Sequence, residues 1–295
     1  MKNYIKNILK SNYTRESISY PILSYLIERY ACIKYRFNFM EEFKLLVKTK
    51  QIKESMKGKN AFVFGNGPSF DKLDYNKVKN YQKQGFKIIC VNSFISAFEK
   101  HGIIPDFYVL SDPGYFVHNN ISEALKDRVM KDIHFIEKYK IPLFIPLQYA
   151  KQIDIDVETY CFNDCEILWK NRNVNNILKP RSYLSMTAYK ALAIAGFLGF
   201  NTIYISGFDN DYIQTTSVDI DNNIYFDDRH FDSNEKKKVR EYDKKIVPNM
   251  AHLLYSHSFL FSDLYKFDDN IINLDPDSLV DAFGKRHKLN IYENG

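Results

Sequence analysis

At 295 residues with 45% hydrophobic content, the chain is long and apolar enough for one large α/β domain or two small ones, which excludes a disordered chain. Its net charge of +5 is unevenly placed: residues 1–60 hold 13 Lys/Arg against 5 Asp/Glu, a net of +8, which leaves −3 on the remainder. No zinc-finger, RNP or basic-zipper pattern supports a nucleic-acid partner, and the four cysteines (Cys32, Cys90, Cys161, Cys165) are too few for a disulfide scaffold and read as reduced thiols.

Residues 1–57 read as a basic helical N-terminal extension. PILSYLIERYACIKYRF and MEEFKLLVKTKQIKESM carry apolar groups at three- and four-residue steps, Pro21 suits a first helical turn, and Lys57-Gly58-Lys59 marks a break. The start MKNYIKNILK lacks the apolar run of a secretory signal, and no stretch nears the roughly 18 apolar residues that cross a bilayer. The expectation is a cytoplasmic protein whose extension either meets an anionic inner-membrane surface or pairs helices in a homo-oligomer.

From residue 58 to 295 a second unit is expected. AFVF (61–64) is a strand running into GNGPS, DKLDYNKVKNYQKQG a helix closed by Gly85, FKIICVNSF a second strand, ISAFEKHGI a helix ending near Gly102, and PDFYVLSDP a third strand. Farther on, SMTAYKALAIAGFLGF (185–200) is an apolar helix and NTIYISGFD a strand. Residues 211–235 read as a flexible Asp/Asn-rich loop, 235–267 as a long helix, and INLDPDSLVDAF as a strand and a short helix. Alternating strands and helices predict a mostly parallel sheet covered by helices. The 16% aromatic content suits stacking on bases and sugars, or an aromatic-rich core.

The sharpest chemical signal is Gly65, Asn66, Gly67, Pro68 and Ser69 directly after the first strand. Ligands of open α/β sheets bind beyond the carboxyl ends of strands, glycines let backbone approach closely, and a following helix start favours an anion. No Gly-Lys-Ser/Thr follows, so it is not a P-loop; the third glycine of the dinucleotide fingerprint is also missing. Asn92 after IICV and Asp112 after YVLS end two more strands and are expected to converge with Asn66 on one crevice. Arg181, Ser185 and Thr187 precede the apolar helix, where hydroxyls cap the helix start or bind phosphate. Asp209 and Asp211 form an Asp-Asn-Asp run that shapes a turn or, less simply, holds a metal.

FVFGNGPSFDKLD, IICVNSF, YVLSDP, LAIAGFLGFNTIYISGFD and INLDPDSLVDAF resemble, in that order, segments of bacterial sialyltransferases of the Campylobacter lipooligosaccharide type. KHGIIPDFYVLSDP is also similar to the flagellin-modifying Maf proteins and to the archaeal-type pterin pyrophosphokinase-like family. The resemblance covers residues 60–285. It implies a GT-A-like single Rossmann-type domain, a CMP-nonulosonate donor, a glycan or lipid-linked glycan acceptor, inversion at the anomeric carbon and no required metal. It places Asn66 near the donor phosphate and Asn92 on the nucleotide. Asp112 stands where the sialyltransferases keep an asparagine. Ser185 and Thr187 fall near their cytidine-contacting pair, and Tyr212 and Tyr225 where two tyrosines hold the leaving phosphate. A base of near-neutral pKa is needed. His230, in FDDRHFD, is the first choice and His252 the second. The alternatives are another CMP-sugar such as CMP-Kdo, or a pterin pyrophosphokinase-like enzyme using ATP with Mg²⁺ at Asp112.

Overall fold

The apolar runs of the sequence become strands and helices in alternation. In chain order they are α1 (Met40–Gln51), β1 (Asn60–Phe64), α2 (Tyr75–Lys83), β2 (Lys87–Val91), α3 (Ile95–His101), β3 (Phe107–Val109), α4 (Glu123–Lys138), β4 (Leu143–Pro146), β5 (Thr159–Phe162), α5 (Thr187–Leu198), β6 (Thr202–Ser206), β7 (Ser217–Val218), β8 (Ile224–Arg229), β9 (Asn234–Lys238) and β10 (Ile271–Asn273). The structure, a computed structural model, describes residues 40–117, 123–164, 176–179, 186–211, 214–230, 234–238, 270–285, 289 and 291, with Ile22, Tyr25, Leu26, Arg29, Tyr30 and Ile33.

Seven strands form one sheet in the order β10-β6-β1-β2-β3-β4-β5, and every pairing in it is parallel. Parallel strands covered on both faces must be apolar throughout, which is why NAFVF and KIICV are buried at four of five positions. Alternate residues feed two cores. Val63, Ile89, Val109, Phe144 and Phe162 pack with α5 on one face. Phe62, Cys90, Tyr108, Leu143 and Cys161 pack on the other with residues of α1 to α4, including Leu46, Val78, Ala97 and Phe135. Much of the aromatic content lies here: the Phe64 ring centroid is 5.0 Å from that of Phe70, and Phe70 is 5.4 Å from Phe94. This is a Rossmann-like α/β domain. Among the described residues no helix is long and apolar enough to cross a membrane.

Residues 40–57, read from sequence as part of a separate extension, are bonded to this domain. The Thr49 hydroxyl lies 2.9 Å from both the main-chain N and O of Cys161 in β5, and the Glu54 and Met56 amides donate to Phe197 and Leu198 at the end of α5. Residues 211–235 also differ from expectation. They contain β7 and β8 of an antiparallel three-stranded sheet, β7-β8-β9. Their Asp/Asn content builds a turn rather than a flexible loop: the Asp219 carboxylate accepts from the main chain of Asp221 and Asn223 at 2.9 and 2.7 Å. The expected helix from 235 begins as strand β9, and 239–269 lies outside the described residues. After β10 the DPDSL run forms side-chain-capped turns in place of a short helix, with Asp277 N–H on Asp275 and Val280 N–H on Ser278.

Candidate active site

β1 lies between β2 and β6. The chain builds outward from β1 to β5 on one side, then crosses to place β6 and β10 on the other, so connections leave β1 and β6 in opposite directions. Such a switch point opens a crevice beyond the strand ends. The loops after β1 and β6 cross there at van der Waals limits. Gly65 N–H donates to Ser206 O and Gly67 N–H to Gly207 O, both at 2.9 Å. Gly207 has φ +75°, and a Cβ on Gly67 would lie 2.0 Å from an Asp209 carboxylate oxygen. The expected glycine turn is real, but its anion site is taken by the chain itself. The Asp209 carboxylate accepts from Ser69 N–H at 3.0 Å and Ser69 Oγ–H at 2.8 Å, at the start of the short 3-10 turn Pro68–Lys72. Ser69 Oγ also accepts from Gly207 N–H, so the fully buried Ser69 builds the turn.

Beside this crossing the strand ends carry a neutral polar network. Asn66 Nδ2–H donates to Asn92 O. Asn92 Nδ2–H donates to Thr187 Oγ1 at 2.9 Å, and Asn92 Oδ1 accepts from Ser111 N–H at 3.2 Å. Ser111 Oγ and Thr187 Oγ1 are 2.7 Å apart. Asn66 and Asn92 are thus brought together as expected, at the ends of β1 and β2, and Thr187 at the start of α5 joins them. The third strand contributes Ser111 instead of Asp112. The Asp112 side chain is exposed and accepts from Gly114 N–H at 2.8 Å, capping its own turn. Asn66 Oδ1 is buried with no hydrogen-bond partner among the described residues. Thr187 does not cap α5; the N-cap position is Met186, which supplies no side-chain acceptor.

The remaining described candidates, Tyr225 and His230, lie in and directly after β8. Tyr225 bonds the Asp219 side chain within the three-stranded sheet. His230 follows β8 directly after Arg229, whose guanidinium is ion-paired to Asp211 two residues beyond Asp209. Arg181, Ser185, Tyr212 and His252 lie outside the described residues. Cys90 and Cys161 are free and buried; burial pushes the Cys161 thiol up to about 12 and lifts Cys90 as well, so neither is a ready nucleophile.

Asp209 titrates unusually. Burial, then the neighbouring Asp275 and Asp211 charges, push its carboxyl up to about 6 against the pull of the Ser69 hydrogen bonds. An unfolded aspartate titrates near 4, so between about pH 4 and 6 the folded state binds the proton more tightly. Its contribution is therefore largest in acid and falls as pH rises through that window. Buried Asp132, also raised, acts in the same direction. Urea unfolding of the wild type and Asp209→Asn at pH 5 and 7.5 should show wild-type stability declining relative to the variant by about 1–3 kcal/mol. Parallel pH profiles for the two proteins would refute the assignment. Among the described residues no three His, Cys, Asp or Glu form a set able to hold a metal ion.

A family model described as "6-hydroxymethylpterin diphosphokinase MptE-like" matches residues 37–215. The chain belongs to the MptE-like family. The match begins ahead of α1, ends after β6, and contains Asn66, Asn92, Ser111, Thr187 and Asp209. It favours the pterin-type side of the sequence resemblance over the sialyltransferase side. No curated protein matches the chain. Among solved structures, a MAf glycosyltransferase from Magnetospirillum magneticum AMB-1 is 13% identical with a TM-score of 0.42, over 85% of this chain and 39% of that one.

Two features of this MptE-like chain escaped the sequence. Lys190 and Asp164 form an ion pair of 2.7 Å with side chains 3% and 1% exposed, tying the first turn of α5 to the residues after β5. Asp132, fully buried on α4, accepts hydrogen bonds from the turn after Asn92. A lysine inside an otherwise apolar helix was the visible sign of the first; no local pattern marked the second.

Proposed function

We propose that this MptE-like protein is a glycosyltransferase that moves a nonulosonic acid from a CMP-sugar donor to a hydroxyl of a glycan or lipid-linked glycan. The observation that carries the reading is the neutral amide and hydroxyl network of Asn66, Asn92, Ser111 and Thr187 beside the switch point. Cytidine and ribose present donors and acceptors in alternation, which amides match. The unbonded Asn66 Oδ1 costs about 1–3 kcal/mol while buried, and a ligand donor offsets that. The phosphate site in this reading is the start of α5. Its first-turn N–H groups meet no side-chain acceptor from Met186, whereas the start after Gly67 is already filled by Asp209. One phosphate needs less neutralisation than a triphosphate, so no divalent cation is called for.

The chemistry then asks little of the protein. As the bond to CMP breaks, helix-start N–H groups, with Tyr212, Ser185 and Arg181 as further candidates, stabilise the departing phosphate. A histidine takes the acceptor proton. His230 is preferred because its neighbour Arg229 is anchored to Asp211 on the β6 loop, and His252 is the second candidate.

The family description favours a second reading, transfer of a diphosphate from ATP to a hydroxymethylpterin. A calorimetric panel of CMP, CDP, CTP and ATP with and without Mg²⁺ separates the two. Expected are binding of CMP and CDP without metal, and weaker CMP binding in Asn92→Ala by roughly 10- to 100-fold. Binding of ATP with Mg²⁺ and indifference to cytidine nucleotides would reject the first reading in favour of the second.

A further inference from the structure

Asn92 is the hub of the network, and the residue after it is strained. Ser93 has φ +65°, a left-handed conformation that a side chain disfavours. The contacts that hold its N–H come from outside the local sequence. Ser93 N–H donates to Asp132 Oδ2 at 2.8 Å and to the Tyr115 hydroxyl at 2.9 Å. Phe94 N–H donates to the Tyr108 hydroxyl at 2.8 Å, and Ile95 N–H to Asp132 Oδ1 at 3.4 Å. Both phenols donate in turn to Asp132, Tyr108 at 2.9 Å and Tyr115 at a shorter distance. Three consecutive amides leading into α3 are thus held by one carboxylate and two phenols. All three of these side chains are buried, Asp132 on α4, Tyr108 in β3 and Tyr115 in the turn after it. Burying a carboxylate among Phe135, Ile136 and Val129 is costly unless every lone pair is used, and here four donors use them.

We infer that Asp132 is a positioning residue: through Ser93 it fixes the direction in which Asn92 presents its carbonyl to Asn66 and its amide to Thr187 and Ser111. That the positioned group binds a cytidine nucleotide rests on the function proposed above. Asp132→Asn keeps the shape but replaces one acceptor oxygen by a donor, and Tyr115→Phe removes one phenol, so both are expected to fold.

The test combines amide hydrogen exchange across residues 92–95 without ligand, CMP affinity by calorimetry, and urea unfolding. Val129→Ala, a core truncation on the same helix, serves as a control that lowers stability without touching the turn. In Asp132→Asn, exchange at 92–95 should rise at least tenfold and CMP affinity should fall about tenfold. Val129→Ala should leave CMP affinity unchanged. Unchanged exchange at 92–95 overturns the inference, as does raised exchange with intact CMP affinity. If the wild type itself ignores CMP, the cytidine reading fails. Exchange then decides on Asp132 alone: a rise confined to 92–95 upholds its hold on Asn92, and no rise overturns it.

Discussion

Gly207→Ala is expected to destabilise the protein by on the order of 3–5 kcal/mol, from left-handed strain and overpacking together. Gly207 has φ +75°, and its added Cβ would lie 2.3 Å from Gly65 O and 2.7 Å from Gly65 C. Those atoms are main chain at the end of the central strand β1. They cannot swing aside as a side chain does, and moving them breaks the Gly65–Ser206 and Gly67–Gly207 hydrogen bonds. Such a loss is a large part of the stability of an ordinary domain, ~5–15 kcal/mol. Gly284→Ala, where nothing lies within 4 Å of the new Cβ, should be close to neutral by comparison. Urea midpoints for the two variants check this, and a Gly207→Ala protein within 1 kcal/mol of wild type, judged against the usual surface effect of about 0.5 kcal/mol, would refute the interlocked crossing.

Lys190→Met should cost about 3–5 kcal/mol, because it strands the Asp164 carboxylate in a site 1% exposed. The double variant Lys190→Met/Asp164→Leu should recover most of that loss, since apolar replacement of a whole buried pair is often neutral. The pair lies one helical turn from Thr187, so, on the function proposed above, Lys190→Met should also weaken CMP binding while the double variant restores only stability. Chemical denaturation of the two singles and the double gives the coupling energy. Additive losses would mean that the two charges do not depend on each other.

What could be read from sequence was local. The alternation of AFVF, IICV and FYV with helical runs set the parallel sheet, and Asn66, Asn92 and Thr187 were found because strand ends and a helix start are recognisable from neighbours a few residues away. Asp112 shows how narrow that margin is. Side chains alternate across a strand, so its neighbour Ser111 enters the network and Asp112 turns outward. Asp132 meets Ser93 across 39 positions, and Thr49 meets Cys161 across 112. No periodicity encodes such partners, and residues 40–57 therefore read as detached. The 211–235 segment was misread for another reason: composition alone does not distinguish an Asp219-type turn between strands from a loose polar loop.

The Thr49 contact also bears on one edge of the sheet. Among the described residues β5 is one of its two edge strands, the kind of place where unpaired amides and carbonyls invite another molecule to dock edge to edge. One hydroxyl from α1 takes both hydrogen-bonding groups of Cys161 in the middle of that strand. A helix that looks like an appendage thereby shields the chain against strand-to-strand aggregation.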